Sequence, residues 1–181
     1  EYYKGIFTIL SSCASRQLEE VTFRRTVIPV QELLDAAGKY FKKSMKNRSE
    51  RIELEIEPME AKVIGDVNQL RFLLENLIDE ALTVREDGVI RLQARQDNEY
   101  IRFLFTDTRR EKSVEELNQL FYPNLARMTS GEKGELRGTE YLVCKQIIRD
   151  HDEFAGRRGC RINAEPAEGG GFTVYFTIPR R

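Results

Sequence analysis

The sequence has no tryptophan, one histidine and only three cysteines, and each scarcity restricts its chemistry. Cys13, Cys144 and Cys160 are far apart, and none has the closely spaced partner that a zinc site requires. An odd number of isolated cysteines indicates reduced thiols, so we expect a cytoplasmic protein. No apolar run reaches the roughly 18 residues of a membrane span, and no signal-peptide pattern is present.

An excess of charge of either sign is also missing. The 29 lysines and arginines and the 30 aspartates and glutamates leave a formal net charge of -1. This balance gives no global electrostatic reason to expect binding to nucleic acid or to an anionic membrane. Partners therefore have to be inferred from individual sites. The 181 residues suffice for one domain of about 100–150 residues and an additional element.

The clearest periodicity lies in residues 68–84, NQLRFLLENLIDEALTV. Its apolar residues recur at the spacing of one helix face and predict a helix that packs on the core. These residues are Leu70, Leu73, Leu74, Leu77, Ile78 and Ala81. Asn76 and Glu80 lie one turn apart at the edge of this apolar stripe, where a core meets a cleft. Polar residues are common at such edges, so this pair alone does not define a site.

The other segments predict an α+β protein with helices on one face of a mixed sheet. Amphipathic spacing predicts helices at residues 2–21, 30–46, 114–121 and 141–148. Alternation predicts strands at 51–57, 89–95, 100–106, 160–164 and 172–178, the second and third forming a hairpin. Residues 22–30 are predicted to be an extended edge segment, 64–66 a short connection and 122–136 a mobile loop.

Six segments occur in an order that is typical of one family. They are GDVNQLR at 65–71, LENLIDEA at 74–81, DT at 107–108, LFYP at 120–123, GTEYLVCKQIIR at 138–149 and GGFTVYFTIP at 170–179. Together they resemble the C-terminal ATPase domain of sensor histidine kinases, which shares a superfamily with gyrase and the mismatch-repair ATPases. The resemblance implies a two-layer α+β sandwich over residues 26–181. It also implies that residues 1–25 are the end of a dimerisation hairpin and its connector, so a homodimer is expected.

The resemblance also implies a site for ATP and Mg. In the family an aspartate accepts from the adenine amino group, an asparagine of one helix holds magnesium, and glycine-rich turns approach the phosphates. By position, Asp107 corresponds to the adenine carboxylate, and Asn76 and Glu80 correspond to the residues at the metal. Gly138 corresponds to a retained glycine of the second turn, and Thr173 lies in the closing segment; both are candidate nucleotide-binding residues.

Several positions depart from the family pattern. Glu80 replaces the magnesium asparagine; a carboxylate can bind magnesium but adds negative charge beside a triphosphate. Thr108, Arg109, Arg110 and Glu111 follow Asp107 where glycines are expected, and Glu140 replaces a second-turn glycine. A glutamate there adds both bulk and repulsion. Arg109 and Arg110 could replace the lost backbone donors as phosphate ligands, although exposed arginines are commonly just solvated.

Three functions remain open on these residues. The first is a regulatory or interaction domain of a two-component protein, with ATP binding weak or absent and a response regulator among its candidate partners. The second is an active catalytic domain that phosphorylates an upstream histidine. The third is a protein-binding switch like the anti-sigma kinases, which the N-terminal helix disfavours. His151, the only histidine, is expected to be a surface or capping residue and not the phosphoacceptor.

Overall fold

The computed structural model describes residues 22–123 and 139–181. Its helices are α1 (Val30–Ser44), α2 (Val67–Ala81), α3 (Val114–Gln119) and α4 (Glu140–Phe154). Its strands are β1 (Thr26–Pro29), β2 (Ile52–Ile56), β3 (Lys62–Gly65), β4 (Gly88–Asp97), β5 (Tyr100–Asp107), β6 (Ile162–Pro166) and β7 (Phe172–Pro179). The helix predicted over residues 2–21 lies outside the described residues, as does most of the loop predicted over 122–136.

The larger of two sheets has the strand order β2-β4-β5-β7-β6. Strand β2 pairs with β4 in parallel, and the other neighbours are antiparallel, which confirms the predicted mixed sheet. Strands β1 and β3 form a separate antiparallel pair. The connection predicted over residues 64–66 is therefore wrong, because Ile64 and Gly65 belong to β3. That strand has four residues, too few for alternation to be visible in the sequence.

One face of the larger sheet carries the core and the other carries charge. On the inner face Phe103 and Phe176 stack with ring centroids 4.8 Å apart. On the outer face Arg91 pairs with Glu55 across β2 and β4, with 3.0 Å between nitrogen and oxygen. A sheet that is covered by helices on one side requires apolar residues on the covered face and polar residues on the exposed face. The architecture confirms the predicted α+β sandwich.

Helix α2 lies between α1 and α4 and packs against both. All six residues of its predicted apolar stripe are buried, as the 3.6-residue period requires. The helix begins after Asp66, whose side chain accepts hydrogen bonds from the backbone N–H groups of Asn68 and Gln69 at 3.0 and 3.2 Å. An aspartate at this position satisfies two of the four unpaired donors of the first turn.

His151 is a core residue, so the prediction of a surface or capping position is wrong. Its side chain is fully buried, and Nε2 accepts from the backbone N–H of Asp66 at 3.1 Å. Nδ1 lies 2.8 Å from the carbonyl oxygen of Ile147, which fixes it as the donor. The neutral imidazole therefore links the last turn of α4 to the start of α2. Sequence periodicity did not reveal this role because the contact spans 85 residues.

We expect the substitution His151→Ala to lower the free energy of unfolding by at least about 2 kcal/mol. It leaves the N–H of Asp66 buried without an acceptor and opens a cavity between α2 and α4. Urea unfolding followed by circular dichroism measures the change. Glu153→Ala, at an exposed position of the same helix, is the matched control and should change stability by less than about 0.5 kcal/mol. Equal stability of the two variants would contradict this role for His151.

Candidate functional site

Asp107 ends β5 on the inner face of the sheet, and its carboxylate is bound by Arg109. Oδ1 accepts from the backbone N–H and the Nε of Arg109 at 3.0 and 2.9 Å. Oδ2 accepts from Nη2 of the same arginine at 2.8 Å. The two side chains are only 5% and 1% exposed. A carboxylate has roughly four acceptor positions, so three of them are occupied by a single neighbour.

The guanidinium of Arg109 also binds the chain that follows α2. Nη1 donates to the carbonyl oxygens of Val84 and Glu86 at 2.8 and 3.0 Å, and Nη2 donates to that of Ala81 at 2.5 Å. Together with the two side-chain bonds to Asp107, these contacts use all five N–H donors of the guanidinium. Arg109 therefore joins the end of β5 to the C-terminal end of α2.

The two candidate phosphate arginines have different environments. Arg109 has no donor left, so a phosphate would have to displace existing bonds. Arg110 is exposed and pairs with Glu86, with 2.7 Å between Nη2 and Oε1. An exposed pair of this kind contributes little stability and dissociates readily. A phosphate-binding role for either residue stays a prediction, and Arg110 is the more accessible of the two.

Asn76 and Glu80 lie on the α2 face that was identified from the sequence. Asn76 is buried, and its Nδ2 donates to the carbonyl oxygen of Phe72 one turn earlier, at 2.8 Å. Glu80 is half-buried on the next turn. Among the residues that the structure describes, no three His, Cys, Asp or Glu side chains form a cluster able to hold a metal ion. The metal role of this pair stays a prediction.

Two further acidic residues, Asp79 and Glu140, lie near this part of α2. Oδ1 of Asp79 accepts from the hydroxyl of Tyr40 at 2.6 Å, so Asp79 contacts α1. Partial burial raises the pKa of Asp79; the Tyr40 hydrogen bond opposes this, and the charge of Glu140 adds to it. Within the described segments, Oε2 of Glu140 is buried and accepts no hydrogen bond. Among the described residues, two carboxylates, those of Asp79 and Glu140, therefore lie close enough for the charge of one to affect the other.

The last two candidates come from the second glycine-rich turn and from the closing strand. Gly138 lies outside the described residues. Thr173 pairs in register with Thr106, their hydroxyl oxygens 2.8 Å apart. Because neighbours along a strand face opposite ways, Thr173 lies on the outer side of the sheet and Asp107 on the inner side. The structure does not bring the two side chains together.

Gly171 is a site residue that the sequence pattern did not single out. It has a φ of +87°, and a Cβ added there would lie 2.1 Å from the backbone oxygen of Asp107. The start of β7 therefore passes directly against the end of β5, and only glycine permits this approach. The signal was present in the run Gly169-Gly170-Gly171, but the sequence does not show which glycine makes the contact.

The sequence profile of the histidine kinase-, DNA gyrase B- and HSP90-like ATPases matches residues 65–181. The chain belongs to that ATPase family. Similar solved structures include the mycobacterial sensor histidine kinase MprB, with 20% identity, a TM-score of 0.65, and coverage of 87% of this chain and 99% of that one. The histidine kinase AdeS of Acinetobacter baumannii has 16% identity and a TM-score of 0.66, covering 96% and 74%.

A structure of the histidine kinase ThkA in complex with the response regulator TrrA is also similar. Its identity is 19% and its TM-score 0.66, and the match covers 98% of this chain and 49% of that one. At these identities the solved structures establish the fold and not the activity. No curated protein sequence matches the chain. No helix within residues 22–123 and 139–181 is long and apolar enough to cross a membrane.

Within this ATPase fold, the described residues fit a bound nucleotide poorly at the position of Asp107. The carboxylate that would accept from an adenine amino group is buried under Arg109. An incoming donor would have to share the one remaining acceptor position or expel the guanidinium. Asn76 retains an amide that suits a metal through its oxygen, and Glu80 supplies a carboxylate. The described residues therefore differ from a nucleotide site mainly at the adenine end.

Proposed function

We propose that this domain is a regulatory or interaction module of a two-component signalling protein, in which the ATPase fold persists and ATP binding is weak or absent. The observation that carries the proposal is the buried contact between Arg109 and Asp107, in which one guanidinium uses all five of its donors. Arg109 takes the place of a bound ligand at this carboxylate.

The cost of displacing Arg109 supports this function. Opening the site would separate a pair that is almost completely buried and leave both charges without partners in a low-dielectric environment. It would also free the carbonyl groups at the end of α2, which then need other donors. A nucleotide has to supply this free energy before it gains any affinity. The negative charge of Asp79 and Glu140 further opposes a triphosphate.

Partners and domain organisation follow from the same proposal. Residues 1–25 would form the end of a dimerisation hairpin and its connector, joined to a domain at 26–181, and the protein would act as a cytoplasmic homodimer. A response regulator is a candidate partner, since the similar ThkA structure contains the response regulator TrrA. In this arrangement the domain would act through its surfaces and not through phosphoryl transfer.

An active histidine kinase domain is the second candidate. Asp107 and Asn76 are retained, and the exposed Arg110 could reach a phosphate by leaving Glu86 at little cost. Glu80 could contribute a carboxylate ligand to magnesium. In this function Arg109 would be a gate that opens when nucleotide arrives, and phosphate would pass to a histidine upstream.

Thermal unfolding of the whole chain with Mg-ATP distinguishes the two functions. A ligand with a Kd of about 0.1 mM, added at about 10 mM, stabilises a protein by about 2.7 kcal/mol. For a chain of this size the melting temperature would rise by about 5–10 °C. We expect a rise of less than about 1 °C, measured by calorimetry with magnesium alone as the reference.

A saturable rise that the substitution Asp107→Ala abolishes would overturn the proposal and establish the active domain. Adenosine, which carries no phosphate, provides a second probe of the adenine end. The matched control is Asp97→Ala, which removes a partly exposed aspartate at the other end of the β4–β5 hairpin, where it pairs with Arg102. This control should leave the response to nucleotide unchanged in either case.

A further inference from the structure

A cavity of about 350 Å³ lies at the end of the molecule where β7 finishes. Its lining comes from four places: the start of β1 with the residue before it, strand β3, the chain leaving α4, and the end of β7. Three of the lining residues are arginines, namely Arg25, Arg157 and Arg181, and none is acidic. The rest of the wall is mainly apolar and includes Val27, Ile64, Ala155 and Pro179. The recess is open to solvent on one side, and a cleft lined by charges of one sign and partly apolar walls raises the local concentration of the opposite ion.

Arg25 has no side-chain partner among the described residues. Its guanidinium packs on the backbone of Gly156, where an added Cβ would lie 2.7 Å from Nη1 of Arg25. Gly156 has a φ of +94°, so the turn after α4 has a conformation that side chains rarely adopt. The turn therefore brings a cation close to the chain without providing it with an anion.

The other two arginines are held by the backbone around the cavity. The Nη1 atom of Arg157 donates to the carbonyl oxygen of Glu99 at 2.7 Å. The backbone N–H of Arg181 donates to the carbonyl oxygen of Lys62 at 3.0 Å. The closest carboxylate to Arg157 is that of Glu99, at 3.7 Å and on a side chain that is 65% exposed. Such an exposed pair neutralises little of the positive charge.

We propose that this cavity binds a small phosphate-bearing anion through Arg25, Arg157 and Arg181. Guanidinium groups recognise phosphate oxygens through paired, charge-assisted hydrogen bonds, and three of them match a dianion. The cavity is a recess between four segments and not a flat basic surface, which favours a small molecule over a membrane or a nucleic acid. Its volume accommodates a phosphorylated metabolite of modest size.

The cavity is separate from the site at Asp107. In the β5–β7 ladder Asp107 pairs with Phe172, whereas Pro179, which lines the cavity, pairs with Tyr100. Seven residue steps along a strand correspond to about 23 Å. The anion site is therefore independent of the proposed loss of ATP binding, and either proposal can fail without the other.

Isothermal titration calorimetry of the whole chain with inorganic phosphate and with pyrophosphate tests the site, at a constant ionic strength of about 0.15 M. We expect saturable binding that is tighter for pyrophosphate. The substitution Arg25→Ala should weaken it at least about tenfold. Arg25 makes no hydrogen bond to the described residues, so this variant should fold normally. Arg71→Ala, which removes an exposed arginine from α2, is the matched control and should bind like the unmodified chain.

Three results would overturn the proposal: no saturable heat up to about 10 mM pyrophosphate, equal affinity of the Arg25→Ala variant, or succinate binding as tightly as pyrophosphate. The last result would assign the cavity to dicarboxylates. Asp107→Ala should leave pyrophosphate binding unchanged. If Mg-ATP raises the melting temperature, loss of the rise in Arg25→Ala locates the binding in this cavity, and loss in Asp107→Ala locates it at the adenine end.

Discussion

Replacing Arg109 by alanine is expected to lower the free energy of unfolding by about 3–5 kcal/mol. The substitution leaves the Asp107 carboxylate buried without its cation, and it removes the donors that serve the carbonyls of Ala81, Val84 and Glu86. Urea unfolding of the whole chain measures the loss. Domains of this size are commonly stable by about 5–15 kcal/mol, so a loss of this size removes a large part of the total stability.

The neighbouring arginine provides the control for this prediction. Arg110→Ala removes the same charge from the adjacent position, but its partner Glu86 is exposed, so the change should be within about 1 kcal/mol. The double variant Asp107→Ala with Arg109→Ala should cost less than the sum of the single variants by about 2 kcal/mol or more, because neither charge is then left unpaired. Additive losses would contradict a structural pair.

Gly171→Ala is expected to destabilise the domain by about 3 kcal/mol or more. Its Cβ would lie 2.1 Å from the backbone oxygen of Asp107 and 2.7 Å from Cα of Thr108, and neither atom can move without shifting β5. Backbone strain at a φ of +87° adds about 1–2 kcal/mol. Thermal unfolding should show a correspondingly lower melting temperature.

Gly169→Ala separates the close contact from the backbone strain. Gly169 lies in the same turn with a φ of +83°, but nothing lies within 4 Å of the position of its Cβ. Its substitution should cost only about 1–2 kcal/mol, the conformational part alone. If the two alanine variants are equally stable, the approach of β7 to the end of β5 does not constrain the domain.

The predictions for Arg109→Ala and Gly171→Ala concern the same region, the end of β5 at Asp107. Gly171 allows the backbone to approach Asp107, and Arg109 then occupies the carboxylate. In a family where glycines usually follow the aspartate, an arginine in that turn can reach back to it. The proposed loss of nucleotide binding is therefore a consequence of side-chain geometry at one turn and not of a change in the fold.

The sequence predicted the secondary structure well where its pattern was long. The helix over residues 68–84 and the hairpin of 89–95 and 100–106 are confirmed, because each pattern extends over two or more repeats of its period. Strand β3 was missed because four residues give no period, and its pairing with β1 spans more than 30 residues. His151 was predicted to be a surface or capping residue because one residue gives no pattern that could indicate burial.

The site was predicted less completely than the fold. Residue types and order identified Asp107, Asn76 and Glu80 as candidates, and the change from glycine to Arg109 was visible. The partners of Arg109 could not be predicted from the sequence, since three of them lie 23 to 28 residues away along the chain. Arg25 and Arg157 gave no signal either, because they are separated by more than 100 residues and meet only in the folded domain.

The sequence by itself determined the family, the order of the helices and of the strands other than β3, and the side chains that stand where nucleotide ligands are expected. The tertiary structure alone decided what those side chains do. Periodicity is a property of neighbouring residues, whereas pairing a buried charge or lining a cavity depends on segments that only folding brings together. Arg109 shows the difference. The sequence specifies its positive charge, and the fold places that charge against the carboxylate of Asp107.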